Sequence, residues 1–172
     1  MVCHPRNNRS GNHSAERVAN QDRGERAKKL LRREATIIEA AGRIIDETED
    51  VELLLSVLWM LVKVGGTVQD EELLFLHHLT VRARQEDKVT PELVEFLDKF
   101  RSQIEIDEDA VWSKVDSVLD DQASKLFEAA VIAAVVDGKM SKEELETLKL
   151  LAERLGVPYD EELIKDTKSK WA

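Results

Sequence analysis

Shifted by 72 residues, the chain matches itself. Val64-Gly65-Gly66-Thr67-Val68-Gln69-Asp70-Glu71-Glu72-Leu73 falls on Val136-Asp137-Gly138-Lys139-Met140-Ser141-Lys142-Glu143-Glu144-Leu145. Across residues 58–81 set against 130–153, seven of 24 positions are identical: Val64/Val136, Gly66/Gly138, Glu71/Glu143, Glu72/Glu144, Leu73/Leu145, Leu76/Leu148 and Leu79/Leu151. With a four-residue gap the downstream segments echo each other too, Val89-Thr90-Pro91-Glu92-Leu93-Val94 beside Val157-Pro158-Tyr159-Asp160-Glu161-Glu162-Leu163-Ile164. Each copy reads as an aliphatic helix, a glycine-containing turn, a charged amphipathic helix and a short capped helix. Such a copy leaves an apolar face that its twin can cover, so pseudo-twofold packing is expected.

The rest of the chain reads as helix as well. Ala27, Leu30, Leu31, Ala35, Ile38, Ala41 and Ile45 recur at spacings of one, three and four, which makes a helix face. The first half of that helix is basic and the second half acidic, against the helix dipole, and a break near Glu34 would relieve the conflict. Residues 51–63 are apolar nearly all round and mark a central buried helix. Residues 70–84 keep Leu73, Leu76, Leu79 and Ala83 on one face, and Thr90-Pro91-Glu92 opens a further helix to about Phe100. A helix over 107–119 carries Val111, Trp112, Val115 and Leu119. In the helix over 122–136, Ala129, Ala130, Ala133 and Ala134 admit a close neighbour. Ser141 with Glu144 forms a capping box for a helix that stops at Gly156, and residues 160–168 form the last short one. Trp59, Phe75 and Trp112 fall on apolar faces and are expected in the core. No segment sustains a period of two. The expected fold is therefore all-α, a bundle of about seven helices with an internal pseudo-twofold repeat. Only 7 Gly and 3 Pro in 172 residues agree with that.

Charge is unevenly spread. The formal net charge is −10, yet residues 1–33 sum to +6 and the remaining 139 to −16. An acidic body repels nucleic-acid phosphates and attracts cations or basic partners, so no nucleic acid is expected as a partner. Residues 1–23 are polar and rich in Asn and Arg, and are expected to be a flexible basic tail ahead of a single domain over 24–172. The run from Arg23 to Arg33 has the charge to meet an anionic membrane or nucleic acid, although such a run is more often a solvated helix face. Cys3 is the only cysteine, which fits a reducing cytoplasm. The most apolar run, over residues 53–64, is shorter than the roughly 20 residues a membrane span needs.

The run Ala133-Ala134-Val135-Val136-Asp137-Gly138-Lys139-Met140-Ser141-Lys142-Glu143-Glu144-Leu145, continuing to Leu155-Gly156-Val157, resembles the Asp-Gly signature of the tellurite-resistance TerB family. The segment from Val89 to Phe100 is similar to that family in character and position. The resemblance covers roughly residues 36–168. It implies a cytoplasmic bundle of about seven helices, no catalytic activity, and a role in tellurite, metal or envelope stress alongside protein partners, some of them membrane-associated. It also places the chain in the cytoplasm, with a peripheral position at the inner membrane in view. The chain departs from the family at Gly65, where the family usually has Asp, and at Ser141 and Lys142, where some members have further acids.

Asp137, Ser141, Glu143 and Glu144 are the candidate metal-binding residues. The neighbourhood offers carboxylate, carbonyl and hydroxyl oxygens, which suit Ca²⁺ or another hard divalent cation. Asp137 ends a helix, where its charge opposes the dipole, and either a turn hydrogen bond or a cation would offset that. Asp70, Glu71 and Glu72 are the candidate partner-binding acids, though Glu near a helix N-terminus is favoured whatever its function. An EF-hand loop starting at Asp137 is excluded, because Lys139, Lys142 and Leu148 stand at its third, sixth and twelfth positions. His77 and His78 are adjacent, point about 100° apart on a helix and cannot grip one ion; Leu74 and Phe75 precede them where a di-iron site wants Glu. No nucleophilic triad or phosphate loop can be assembled, so the chain reads as a binding protein and not an enzyme. A helical docking module without a metal role is the competing reading.

Overall fold

The computed structural model describes residues 12–88, 90–91, 95 and 107–171. Among these there are seven helices and no strand: α1 Asn12–Glu47, α2 Val51–Val64, α3 Asp70–Gln85, α4 Glu108–Val115, α5 Asp120–Val135, α6 Lys142–Leu155 and α7 Glu161–Trp171. The chain divides into two compact units, Met1–Ala35 and Thr36–Ala172. The division falls after Ala35 and not near residue 24, where the sequence places it. The expected tail over 1–23 lies partly outside the described residues, but from Asn12 onward it is helical. Ala15, Glu16, Arg17 and Ala19 are good helix formers, and neither Gly nor Pro interrupts residues 12–23. Nor does α1 break at Glu34.

In the second unit the last part of α1 buries Ile37, Ala41, Ile44 and Ile45. This helix has no basic residue in its last turn. Lys88 supplies the missing charge from outside, donating from Nζ to the carbonyls of Ile45 at 2.6 Å and Thr48 at 2.9 Å. The sequence contains no local signal for that cap.

Helix α2 opens at Asp50, whose carboxylate accepts the Leu53 N–H at 3.0 Å. Its residues from Leu53 to Val62 are all buried, as its uniformly apolar sequence requires. It packs against α3, α4, α5 and α6, so it is the axis of this unit. Helix α5 also packs on α3, α6 and α7. Ala129, Ala130, Ala133 and Ala134 are fully buried there, and their small side chains fit the close approach expected of them. Fully burying one Leu is worth roughly 1.5–3 kcal/mol, and this unit holds Leu54, Leu58, Leu61, Leu79, Leu148 and Leu151 in that state. Trp59, Phe75 and the C-terminal Trp171 are buried, and Trp112 packs partly covered against the core.

The expected helix opening at Thr90-Pro91 lies mostly outside the described residues; within it Pro91 and Glu95 are helical. The helix expected over 107–119 is shorter than its apolar pattern, ending at Val115 and leaving Leu119 as the N-cap of α5. Helix α6 ends as foreseen, at Gly156 with φ +67°.

Candidate functional site

Two helix starts, at α3 and α6, meet two tight turns. At the first turn, the Gly66 N–H donates to the Lys63 carbonyl and Gly66 takes φ +99°. At the second, the Gly138 N–H donates to the Val135 carbonyl and Gly138 takes φ +80°. Both positions need a residue that tolerates left-handed backbone, which explains why the glycine is the shared feature of the two sequence segments. Beyond each turn a helix begins with the same device. Glu72, third residue of α3, reaches back to accept the Gln69 N–H at 2.7 Å; Glu144, third residue of α6, accepts the Ser141 N–H at 2.7 Å. The Ser141 hydroxyl in turn accepts the Glu144 N–H at 3.1 Å, completing the box the sequence predicts. At α3 the Gln69 amide goes instead to the Thr67 carbonyl.

The reach-back turns both glutamates inward. Glu72 is 4% exposed and Glu144 5%, and the two carboxyl groups lie close enough for each to act on the other's titration. Two buried carboxylates so placed repel one another, which favours a proton on one of them. Burial pushes Glu72 up to about 7, with the negative charges of Asp137 and Glu144 adding to it and the Gln69 N–H opposing. Glu144 is raised by burial as well, while the Ser141 N–H and hydroxyl favour its charged form.

Asp137 is half-buried and shares a cavity of about 290 Å³ with both glutamates, Gly65, Thr67 and Ser141. One of its oxygens accepts the Lys139 N–H at 2.9 Å, which is the turn hydrogen bond that offsets its unfavourable place at a helix end. Gly65 occupies the matching place in the other segment. A Cβ built there would lie 3.1 Å from the Glu144 Cδ and 3.3 Å from the Ser141 Oγ. Glycine at 65 therefore makes room for the Glu144 cap, and an Asp there would place a carboxylate against a buried one.

The sequence-derived residues thus separate. Asp137, Ser141 and Glu144 come together; Glu143 is exposed on the first turn of α6, away from the buried pair. Asp70 is exposed and Glu71 half-buried, as a surface role would need. Glu72 was grouped with them, but its reach-back to Gln69 puts it inside. The proximity of Glu72 to Glu144 was missed, although the two fall on equivalent positions of the sequence repeat. Among the described residues, no group of three or more His, Cys, Asp or Glu side chains is disposed to hold a metal ion. His77 is exposed and the two imidazoles meet edge to face with centroids 5.3 Å apart. No helix is long and apolar enough to cross a membrane, among the described residues.

Comparison with family models, with curated proteins and with solved structures finds no match.

Proposed function

We propose that this chain is a non-catalytic, TerB-like binding protein of a tellurite, metal or envelope stress response in the cytoplasm, acting through protein partners and through a hard divalent cation taken at the Asp137 turn. What supports this reading is that Asp137, Glu72 and Glu144 line one cavity, with Glu72 pushed up to about 7 by burial and by its acidic neighbours. As they stand the three are not disposed as a metal site, so a cation at the Asp137 turn would have to draw the carboxylates together and displace the Glu72 proton. Oxygen ligands without sulfur or imidazole select Ca²⁺ and its relatives, and an irregular turn suits Ca²⁺ better than octahedral Mg²⁺. Asp70 and Glu71, on the outside of α3, are the surface offered to a basic partner.

Calorimetric titration with Ca²⁺, Mg²⁺, Mn²⁺ and Zn²⁺ tests it. Ca²⁺ should bind with modest affinity and release a proton, so the measured heat should depend on the ionisation enthalpy of the buffer. Asp137→Asn keeps the size and the turn hydrogen bond while removing the charge. It should abolish the heat and change the melting temperature of the ion-free protein by little. If millimolar Ca²⁺ gives neither heat nor a thermal shift, the metal reading is wrong.

One observation favours the competing reading, a helical docking module with no metal role. Leu119 is 69% exposed at the mouth of a cavity of about 460 Å³ lined by Leu53, Leu54, Val118 and Leu126. That surface suits the apolar face of a partner helix.

A further inference from the structure

We propose that residues 26–33 of α1 form a basic amphipathic stretch that binds an anionic lipid surface. At about 100° per residue, Ala27, Leu30 and Leu31 fall within one third of the helix circumference, and Arg26, Lys28, Lys29, Arg32 and Arg33 occupy the remainder; Arg23 and Glu34, on either side of this stretch, fall on the apolar stripe and bound it. The segment from Arg23 to Arg33 holds six basic residues against one acid, Glu25. It lies in the first compact unit and is already helical, so no ordering cost attends binding. Leu31 is 66% exposed, and Arg23, Arg26, Lys28, Lys29 and Arg32 are exposed too. The Lys28–Glu25 ion pair, at 3.6 Å between exposed side chains, is too weak to withhold that lysine from a phosphate.

The combination of the two faces points to lipid and not to nucleic acid. A phosphate backbone would engage the bases and gain nothing from Leu31. A membrane interface takes the apolar stripe below the headgroups and lets the flanking Lys and Arg stems snorkel to the phosphates. Charge fixes the orientation as well. The chain beyond residue 33 carries −16, so an anionic surface attracts the molecule through its N-terminal part alone. This inference rests on α1 and stands whether or not a cation binds at Asp137.

Sedimentation of the full chain with vesicles tests the assignment. At about 0.1 M salt it should bind vesicles of phosphatidylserine and phosphatidylcholine, ignore phosphatidylcholine alone, and release at about 0.5 M salt. The combined variant Lys28→Gln, Lys29→Gln, Arg32→Gln, Arg33→Gln should weaken binding by about a hundredfold or more, with an unchanged helical signal. Leu31→Ser should weaken it severalfold at about 0.1 M salt. Failure to bind anionic vesicles at low salt overturns the proposal. So does full retention of vesicle binding by Leu31→Ser together with tighter binding to a DNA or RNA oligonucleotide. A vesicle-free dimer that the combined variant abolishes would assign the face to a second copy of the chain and overturn the proposal equally.

Discussion

Leu58→Ala lowers stability by about 3–5 kcal/mol, a large loss for a single truncation. Leu58 is fully buried on α2, and α2 is held on several sides by α3, α4, α5 and α6. The transfer cost of the lost carbons is common to any buried Leu. What raises it here is the cavity, since a helix gripped from several directions cannot shift to fill a void without losing contacts elsewhere. For a chain of this length a kilocalorie corresponds to about 2–4 °C, so the melting temperature should fall by roughly 6–20 °C. Leu119→Ala is the control. Its side chain is 69% exposed and the same truncation should cost about 0.5 kcal/mol or less. Chemical denaturation of the two variants separates them. A loss under about 1 kcal/mol for Leu58→Ala would show that α2 is not the axis of the fold.

Helix type and order were legible because the local signals agree with one another. Ser141, Glu144 and Gly156 bracket α6, and an unbroken apolar stretch marks α2, so start, stop and burial all point the same way. Where the signals conflict, the reading fails. The charge reversal along α1 suggested a break, but dipole effects of about 0.3–1 kcal/mol are small beside the helix propensity of its residues and the burial of Ile37, Ala41 and Ile45. The cap that Lys88 places on α1 joins positions 43 residues apart, and no window of sequence contains both. The early end of α4 is a tertiary matter too, since Leu119 satisfies the periodicity of a helix it does not belong to.

The site was legible one half at a time. Local chemistry gave the Asp137 turn and the Ser141–Glu144 box, because each closes within three residues. It also gave a reason to discount Glu72, as one more acid near a helix N-terminus, and that reason was local and therefore incomplete. Burial decides the role of a carboxyl group, and burial comes from the neighbour. The same holds at Gly65. The sequence shows a missing Asp, while the structure shows a close approach, 3.1 Å from a built Cβ to the Glu144 carboxyl carbon. The difference between Gly65 and Asp137, at equivalent positions of the two segments, thus has a steric and electrostatic cause once the facing helix is in place.

Glu72→Gln stabilises the protein in mild alkali and leaves it unchanged in mild acid. The sign follows from proton counting. Glu72 ordinarily titrates near 4.5 and is held at about 7 in the folded chain, first by burial and then by the charges of Asp137 and Glu144. Between those values the folded state keeps a proton that the unfolded chain has released, so raising the pH from about 4.5 to about 7 draws stability away; above that range the loss is complete and levels off. A shift of that size corresponds to a loss on the order of 3 kcal/mol. Gln is the uncharged isostere of the protonated acid. Its oxygen can accept the Gln69 N–H, and its amide stays neutral beside the Glu144 carboxyl group. The variant should therefore match wild type at about pH 5 and exceed it by about 2–3 kcal/mol at about pH 8, or roughly 4–12 °C in melting temperature. Other carboxylates titrate in both proteins, so the difference between the two curves is the quantity to follow. A difference that stays constant from about pH 5 to about pH 8 would mean that Glu72 does not keep its proton in the folded chain.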